Sequence, residues 1–525
     1  MNFKAAGIFN RCITLEMENE YAFRMPESYK VLLNGKEVTS TDENVVTLGG
    51  LIPDTEYTIA VCCGGETTTQ VLRTKAETYL ISVKDTGAKG DGVTNDTTKL
   101  QAAISACPAG GTVYVPAGTY LTGPLFLKSE ITLWLEKDAI LLGDPERTNY
   151  PILPGVIHDP EDFSKEYSLA SWEGNPLSAF ASLITGIGVS DVDIIGEGVL
   201  DGNAGASDWW VDVRKKRIAW RPRTLFLNHC TNVRVQGIKI QNSPSWTIHP
   251  YYCDHLKFLD IRIWNPENSP NTDGMDPESC SDVEIIGVKI SVGDDCIALK
   301  SGKLYMGREH YKPSEHITIR NCMLERGHGS VTIGSEAAGG IRDIRVEKCI
   351  FSGTDRGLRI KTRRGRGDRN VLDDICFESL IMKDVHMPVT VNMFYFCDPD
   401  GHTDYVQNQE PQEASEKTPR IKSLTVRNVQ CDGVSASFVC VYALPEMPME
   451  RLTLENIKVS FLPEAERKSE VPIMMDHFPE MSGRSFYIRN LRELNVKNVT
   501  ISGSADTAPT LMGVDVKNIE GLIYG

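Results

Sequence analysis

From residue 232 onward, the chain repeats one short pattern of apolar and polar positions. Segments 232–240, 255–263 and 282–290 each alternate apolar and polar residues, with a Gly or polar bend near the middle. A repeat of this length with two or three short strands predicts a parallel β-helix, in which each coil stacks on the one before it. The aligned segments are 232–240, 255–263, 282–290, 316–324, 343–351, 423–431, 451–459 and 493–501.

A second strand in each coil aligns in the same way. Its inward positions hold only apolar residues or Pro, as a stacked core requires. The first inward row is Leu225, Ile248, Met275, Ile297, Val331 and Leu358, and the second is Leu227, Pro250, Pro277, Leu299, Ile333 and Ile360.

One amphipathic helix precedes the repeats. Leu100, Ala103, Ile104 and Cys107 recur at helical spacing, with N-cap candidates at 94–96 and breakers from Pro108 onward. A single helix ahead of many short strands is typical of a cap on the first coil.

The first 76 residues differ from the rest. Alternating runs at 29–35 and 56–63, separated by turn residues, predict a small antiparallel β-sandwich. Segment 51–57 resembles the tyrosine corner of fibronectin type III domains, in which a Tyr hydroxyl ties a corner to the backbone. The predicted organisation is therefore all-β, with a fibronectin type III-like domain at 1–76 and a parallel β-helix at 77–525.

Composition limits the class of protein. The 525 residues carry 55 Lys and Arg against 71 Asp and Glu, a net charge of −16, which argues against nucleic acid as a partner. The chain has no apolar run long enough to span a membrane and no recognisable secretory signal. The 14 cysteines fall at repeated registers without a CxxC pair, which indicates buried thiols. We expect a cytoplasmic protein, with secretion by a non-standard route left open and the oligomeric state undetermined.

Coil stacking converts the alignment into a predicted site. Asp273 and Asp295 each precede an inward residue by two positions, so they should be vertical neighbours about 4.8 Å apart. Asp294 and His328 share the register three positions before an inward residue. They should therefore lie on adjacent coils, beside the two other carboxylates.

Basic residues should meet these carboxylates. Arg359 and Lys361 alternate with core positions and point outward one coil above His328. Segment 356–369 holds seven basic residues and one acid, which indicates a polyanionic ligand on this acidic chain. A solvated loop is the alternative explanation for its second half.

Three close carboxylates cannot all keep ordinary pKa values, so one should be a protonated acid beside ionised bases. That arrangement suits glycosidic bond cleavage, in which an acid protonates the leaving oxygen and a base activates water. Calcium binding or backbone capping by the same carboxylates are the alternatives that spacing leaves open.

Four motifs then identify a family resemblance. They are Ser269–Gly274 (SPNTDG), Gly293–Cys296 (GDDC), Arg326–Ser330 (RGHGS) and Arg359–Lys361 (RIK). In this order they resemble the motifs of glycoside hydrolase family 28, the polygalacturonases. The resemblance implies a right-handed, pectin-lyase-like parallel β-helix that hydrolyses α-1,4-linked galacturonate by inversion, without a metal or other cofactor.

The resemblance also implies roles for individual residues. Asp294 would be the general acid, Asp273 and Asp295 would hold and deprotonate water, and His328 would support the acid or the sugar. The residues assigned to substrate binding are Arg359, Lys361, Asn271, Lys300 and Arg363. Coil stacking predicts a shorter separation between Asp273 and Asp295 than inverting enzymes use between their two carboxyl groups, but these two share one role.

Details of the sequence indicate the mode of attack on the substrate and the alternative functions. Segments 242–250, 333–336 and 353–367 are more similar to bacterial exo-acting members, and insertions at about 144–185 and 396–420 could close one end of the cleft. The expected substrate is pectic poly- or oligogalacturonate, attacked from a chain end. Alternatives are a rhamnogalacturonan or xylogalacturonan hydrolase, a calcium-dependent pectate lyase, and a carbohydrate-binding β-helix without catalysis.

Overall fold

The computed structural model describes all 525 residues and places antiparallel strands first. Two antiparallel sheets, of three and four strands, pack around a core of their own that includes Phe3, Tyr29 and Val31. The Tyr57 hydroxyl accepts a hydrogen bond from the backbone N–H of Ile52 at 2.9 Å, which is the contact that the corner pattern predicts. The fibronectin identity of this module and a boundary at residue 76 stay predictions. The strands are Asn2–Ile8, Ile13–Glu18, Arg24–Leu33, Lys36–Glu43, Val45–Leu48, Glu56–Cys63 and Glu66–Arg73.

From Leu80 to Tyr524 the chain forms a parallel β-helix, as predicted. Most complete coils contribute one strand to each of three parallel sheets, which we call first, second and third in their order along a coil. The inward rows predicted for the first sheet are confirmed, because Leu225, Ile248, Met275, Ile297, Val331 and Leu358 pair in one register.

The first sheet carries the predicted site. Its strands are Leu125–Phe126, Ile184–Ile187, Leu225–Asn228, Ile248–Tyr251, Ile297–Leu299, Val331–Gly334, Arg356–Lys361, Met387–Asn392 and Ser437–Tyr442. Residues 275–278 join it through single bridges.

The second and third sheets complete each coil, and in the last coils their strands merge into long bent ones, the last two of which also include a first-sheet strand. The second sheet contains Leu80–Ser82, Gly111–Val115, Ile131–Leu135, Ser190–Gly196, Thr231–Gln236, Asp254–Leu259, Ser281–Ile286, Ser314–Arg320, Ile341–Glu347 and Arg420–Ile421. The third contains Asp91–Asn95, Gly118–Thr122, Ala139–Gly143, Val199–Asp201, Lys239–Gln241, Arg262–Trp264, Lys289–Ser291, Met323–Glu325 and Ile350–Ser352. The merged strands are Val371–Lys383, Ser423–Val434, Met449–Phe461, Arg484–Ser502 and Thr510–Tyr524.

A single core of 100 buried residues fills the coils. The predicted thiol columns are confirmed: Cys230, Cys253 and Cys280 are buried and unpaired, and so are Cys322 and Cys349. Burial of an apolar side chain contributes about 1.5–3 kcal/mol, so the stacked rows hold the register that positions the site.

The predicted helix spans Thr97–Ala106 and buries Leu100, Ala103 and Ile104 against the first coils. Asn95 accepts a hydrogen bond from the backbone N–H of Thr97 at its start. The other helices are Leu304–Glu309 and Asp404–Gln407, with 3₁₀ turns at Arg147–Asn149, Ala204–Ala206 and Glu464–Glu466. None of the helices is long and apolar enough to cross a membrane.

The N-terminal module lies along the outer end of the second sheet. Phe9 and Val45 pack against Ile195, Leu259 and Ile286, each of which lies at or next to the last residue of a second-sheet strand. The module does not cover the first sheet, which carries the predicted site; the insertions described next cover that sheet.

Two predicted insertions leave the coils and return over the first sheet. Residues 144–183 contain two hairpin pairs, Ile152–Leu153 with Ala179–Phe180 and Ile157–His158 with Glu166–Tyr167. Residues 396–419 contain the short helix Asp404–Gln407. A further insertion at 462–483, which the sequence interpretation did not single out, leaves the coil near the C-terminus.

Candidate active site

Three short turns between the third and first sheets hold the predicted catalytic residues. Asp273, Asp294, Asp295 and His328 lie in three consecutive turns, and the Asp273, Asp294 and Asp295 oxygens lie within 4.8 Å of one another. The backbone N–H of His328 donates to the Asp294 carbonyl at 3.2 Å, so the predicted neighbours on adjacent coils are confirmed.

Two glycines allow the turns to stack this closely. A Cβ on Gly329 would lie 2.7 Å from Oδ1 of Asp295, and one on Gly293 would lie 2.5 Å from the carbonyl oxygen of Ser269. Any side chain at either position would therefore displace the carboxylate or the preceding turn.

Asp295 is the buried anchor of the site. Its Oδ1 accepts a hydrogen bond from Arg359 at 3.0 Å, and its Oδ2 accepts one from Lys361 at 2.8 Å. Although burial opposes ionisation, Lys361 and Arg359 hold the pKa of Asp295 well below its usual value. Asp295 is therefore a carboxylate throughout the working pH range.

The raised pKa expected in the trio belongs to Asp273. Burial raises the pKa of Asp273 well above its usual value, and repulsion from Asp276 and Asp294 adds to the effect. Asp276, a neighbour that sequence reasoning missed, is fully buried, and burial raises its pKa to about 8. It occupies an outward position of the aligned strand, between Met275 and Pro277, so the alignment itself contained the signal.

Asp294 and His328 lie at the solvent side of the trio. Asp294 is half-buried, and its Oδ1 accepts a hydrogen bond from the N–H of Asp295 at 3.0 Å. His328 is exposed, and its Nδ1 lies 2.8 Å from Oδ2 of Asp355. The hydrogen bond that His328 donates to Asp355 raises the pKa of His328, and the charges of Asp294 and Asp295 act in the same direction against desolvation.

Asn271 borders the same space. Its Oδ1 accepts a hydrogen bond from Nη2 of Arg221 at 2.5 Å, and Arg221 also donates to the carbonyls of Pro244 and Pro270. Arg221 belongs to an irregular segment outside the repeats, so no register argument could have placed it here.

Two residues assigned to substrate binding are buried in ion pairs. Lys300 lies 3.1 Å from Glu336 and 3.5 Å from Asp276, and its ammonium lies over the ring of Trp246. Arg363 donates four hydrogen bonds to Asp398 and Asp400, using all three of its side-chain nitrogens. Their role toward substrate stays a prediction, and the structure gives both an evident part in the walls of the site.

The trio also meets the geometric requirement for a cation, because three carboxylates offer oxygens within 4.8 Å of one another. Arg359 and Lys361 already neutralise both oxygens of Asp295, so a cation would compete with two positive charges for that carboxylate. The donor set therefore fits an acid/base trio better than a dedicated cation site.

The N-terminal end of the first sheet is covered by residues 166–175, which we call the N-terminal bridge. Ser168 contacts Asn228 and Tyr251, and Ser171 donates to Glu278 at 3.3 Å. These outward residues of the first sheet are at most 1% exposed. On the far side, the Gly174 carbonyl accepts from the N–H of Lys303 at 2.8 Å.

Residues 470–478, which we call the C-terminal bridge, cover the other end. The Met474 carbonyl accepts a hydrogen bond from Asn392 at 3.0 Å, and the Met474 sulfur lies 3.2 Å from Arg359. Asp476 pairs with His402 at 2.8 Å, which joins this bridge to the 396–419 insertion.

The 396–419 insertion forms the wall between the bridges. Its Asp398 lies 2.8 Å from Lys303, so the wall and the N-terminal bridge meet at that lysine. The sequence predicts that the insertions close one end of the cleft. In the structure, the floor of the cleft is covered at both ends and along one side. The open side, which we call the mouth, is formed by Asp294, Arg326, His328 and Asp355.

The chain is similar to known proteins over most of its length. The model of the glycosyl hydrolases family 28 matches residues 164–475, and one described as rhamnogalacturonase A/epimerase, pectate lyase-like matches residues 80–155. A probable polygalacturonase of Vitis vinifera is 30% identical over 74% of this chain and 75% of its own length. An exo-poly-alpha-D-galacturonosidase of Dickeya chrysanthemi is 26% identical over 87% of this chain and 81% of its own.

Solved structures agree with the observed architecture. A family 28 exopolygalacturonase of Yersinia enterocolitica aligns over 99% of this chain and 98% of its own, with a TM-score of 0.72 and 20% identity, which supports the fold. An exopolygalacturonase of Thermotoga maritima aligns over 81% of this chain and 92% of its own, with a TM-score of 0.66 and 25% identity.

Proposed function

Because the chain belongs to family 28 of the glycosyl hydrolases, we propose that it is a polygalacturonase that hydrolyses α-1,4-galacturonosidic bonds of polygalacturonate and its oligomers. The observation that carries the proposal is the convergence of Asp273, Asp294 and Asp295 beside Arg359 and Lys361. Carboxyl groups supply the acid and base that glycoside hydrolysis needs, and the cations suit an anionic sugar.

Each residue of the site has a part in the proposed reaction. Asp294, at the mouth, protonates the glycosidic oxygen as the bond to the leaving sugar breaks. Asp295 and Asp273 hold the attacking water, and its proton passes to this pair. Asp295, which Lys361 and Arg359 hold ionised, orients the water, and Asp273, whose raised pKa makes it the stronger base once ionised, takes the proton.

Arg359 and Lys361 serve two purposes in this reaction. They keep Asp295 ionised, and they place positive charge beside the bond to be cleaved, where a galacturonate carboxylate would lie. Rhamnogalacturonan and xylogalacturonan backbones are the competing substrates within the family.

The closed ends of the cleft favour attack on a chain end. A polymer cannot lie across the first sheet, because the two bridges and the wall cover the floor on three sides. The Dickeya chrysanthemi exo-poly-alpha-D-galacturonosidase aligns over 87% of this chain and the Thermotoga maritima exopolygalacturonase over 81%, and both are exo-acting by name.

The decisive experiment is product analysis on defined oligogalacturonates with the wild type and Asp294→Asn. We expect the wild type to release mono- or digalacturonate. NMR of the first product should show that the configuration at the anomeric carbon is inverted. Asp294→Asn should lose about 10²–10⁴-fold in rate with binding retained, as removal of a general acid does.

Different outcomes select the rivals. Unsaturated products that absorb in the ultraviolet and depend on calcium would identify a lyase, and cleavage confined to rhamnogalacturonan or xylogalacturonan would identify another hydrolase of the family. Binding without turnover would leave a carbohydrate-binding protein. An Asp294→Asn variant of undiminished rate would remove Asp294 from its role.

A further inference from the structure

The mouth is the only side of the site that a bound chain can cross. The N-terminal bridge, the wall and the C-terminal bridge close the other sides. If a chain end lies beside Arg359 and Lys361, the rest of the chain passes Asp294 and His328 and leaves over the corner between the first and third sheets. This inference rests on the proposed function.

The electrostatics of that corner oppose a polyanion. Asp294 and Asp355 face solvent there, and the half-buried Glu325 ends the adjoining third-sheet strand. Like charges this close repel one another strongly where water is partly excluded. His328 at this corner is engaged by Asp355, so a galacturonate chain that leaves across the corner requires a further cation.

Arg326 supplies a cation at this corner. It is exposed, and it stands in the turn that also holds His328, with its backbone at a φ of 56°. Its one side-chain hydrogen bond joins Nε to Oγ of Ser291 at 2.8 Å. Both terminal guanidinium nitrogens are thus left for a carboxylate, which arginine binds through two parallel hydrogen bonds.

Trp264 lies on the coil next to that of Ser291, the residue that Arg326 contacts. Ser291 pairs in register with Trp264 on one neighbouring coil and with Glu325 on the other. Because Arg326 folds back onto Ser291, its head group approaches the coil of Trp264, about 4.8 Å from strand to strand. The Trp264 indole is 40% exposed, and an indole face is a nonpolar platform against which the C–H face of a pyranose can pack.

We propose that Arg326 and Trp264 form a subsite for the part of the galacturonate chain that lies outside the pocket. Arg326 binds a sugar carboxylate, and Trp264 supports the ring of the same or the next sugar. The subsite binds substrate on the leaving-group side and takes no part in proton transfer. It gives longer chains an affinity that the shortest substrate lacks.

The test compares Arg326→Gln, Arg326→Lys and Trp264→Ala on galacturonate oligomers of increasing length. Arg326→Gln should raise KM about tenfold on the longer oligomers, as expected for the loss of one charge-assisted hydrogen bond, with the smallest effect on digalacturonate. The kcat values should stay within about twofold of the wild type. An interaction that is equally strong in the bound substrate and in the transition state changes KM and leaves kcat unchanged. Arg326→Lys should recover part of the loss, and Trp264→Ala should show the same dependence on length.

Arg492→Gln is the matched control, because Arg492 is an exposed arginine on the last coils, away from the first sheet's turns. It should leave KM unchanged at every length, and thermal unfolding should show that all variants are folded. An Arg326→Gln variant that behaves like Arg492→Gln, that loses affinity equally at all lengths, or that loses kcat would overturn the subsite. A wild type that cleaves no galacturonate oligomer would instead reject the proposed function.

Discussion

At the scale of single residues, Asp355 is the least expected member of the site. It accepts a hydrogen bond from His328 and raises the pKa of that imidazole, while Asp294 and Asp295 face His328 from the adjoining turn. The neighbouring charges on its other side are Arg356, 3.8 Å from Asp355, and His386, which pairs with Glu470. We infer that Asp355 positions His328 and keeps it protonated to a higher pH.

Asp355→Asn should therefore move the alkaline limb of the pH–rate profile to lower pH. A raised pKa keeps a histidine cationic to a higher pH. Without the Asp355 carboxylate, the pKa of His328 should fall, and the imidazolium should lose its proton at a lower pH. The rate at the optimum should fall by at most about tenfold, the size expected for one charge-assisted hydrogen bond. The measurement is kcat/KM across the pH range.

The chain offers a close control for this variant. His316 and Asp343 form the same contact at 2.6 Å with the same exposed fractions, 55% and 39%, on a second-sheet face away from the mouth. Asp343→Asn should leave the pH profile unchanged. Identical profiles for Asp355→Asn and the wild type would show that Asp355 does not act on His328 in catalysis.

Most of the site could be predicted from the sequence because residues that share a register on neighbouring coils lie directly beside one another in space. The rule that aligned Asp294 with His328 also selects Asp355, which stands three positions before Leu358, although only the first two were recognised. Arg221 could not be found in this way, since the segment that carries it belongs to no coil. The ion pairs of Lys300 and Arg363 depend on partners in insertions, whose paths the repeat does not determine.

At the scale of elements, the bridges turn an open cleft into a pocket. The insertions at 144–185 and 396–420 were visible in the sequence as breaks in the repeat, but their meeting at Lys303 was not. At Lys303, the backbone N–H bonds the Gly174 carbonyl of the first insertion and the ammonium pairs with Asp398 of the second. These two insertions are more than a hundred residues apart in the sequence. The C-terminal bridge was missed because its composition is unremarkable and its coil lies far along the chain from Arg359.

Removal of the N-terminal bridge should convert chain-end attack into internal attack. Gly155 and Pro176 are adjacent, and Ile152–Leu153 pairs with Ala179–Phe180, so residues 156–175 can be replaced by two glycines without opening the hairpin at their base. The covered floor residues Tyr251 and Glu278 would then become accessible. We expect a faster loss of viscosity per bond cleaved and longer early products from polygalacturonate.

A shorter deletion separates the bridge from the rest of its insertion. Residues 159–165 form the exposed tip of the hairpin Ile157–His158 with Glu166–Tyr167 and contact none of the floor. An Asn-Gly turn in their place should leave the product pattern as in the wild type. If the larger deletion also releases only mono- or digalacturonate, the bridge does not determine the mode of attack.

At the scale of the whole molecule, the N-terminal module acts as a fixed part of the β-helix. Glu16, whose side chain is 5% exposed, lies 2.7 Å from Arg320 and accepts a further hydrogen bond from Asn321 at 2.9 Å. Thr47 donates to Asp260 at 2.8 Å beside an apolar contact that includes Phe9. These contacts bind the module to several coils of the second sheet.

Glu16→Gln should lower the free energy of unfolding by about 2 kcal/mol, because Arg320 would lose a mostly buried partner. Urea denaturation measures the change, and kcat should stay as in the wild type. Although burial opposes it, Arg320 lowers the pKa of Glu16, so this stability is present above the ordinary glutamate pKa and is lost as the pH falls through the lowered value.

Glu37→Gln is the control for the interface. Lys30 and Glu37 also form an ion pair at 2.8 Å in the module, but both are largely exposed and neither touches the β-helix. Such pairs contribute little, so this variant should unfold at the same urea concentration as the wild type. Equal losses in both variants would mean that the Glu16 contact is not what attaches the module.

A pocket with one opening also dictates the order of events in turnover. The released sugar lies at the blind end, behind the shortened polymer, and the two share a single way out. With chain-end attack as proposed, the polymer must dissociate before the product can depart, so we expect successive cuts to fall on different chains and catalysis to be distributive. For the same reason we expect accumulated monomer or dimer to be a competitive inhibitor, because it would occupy the place that the next chain end needs.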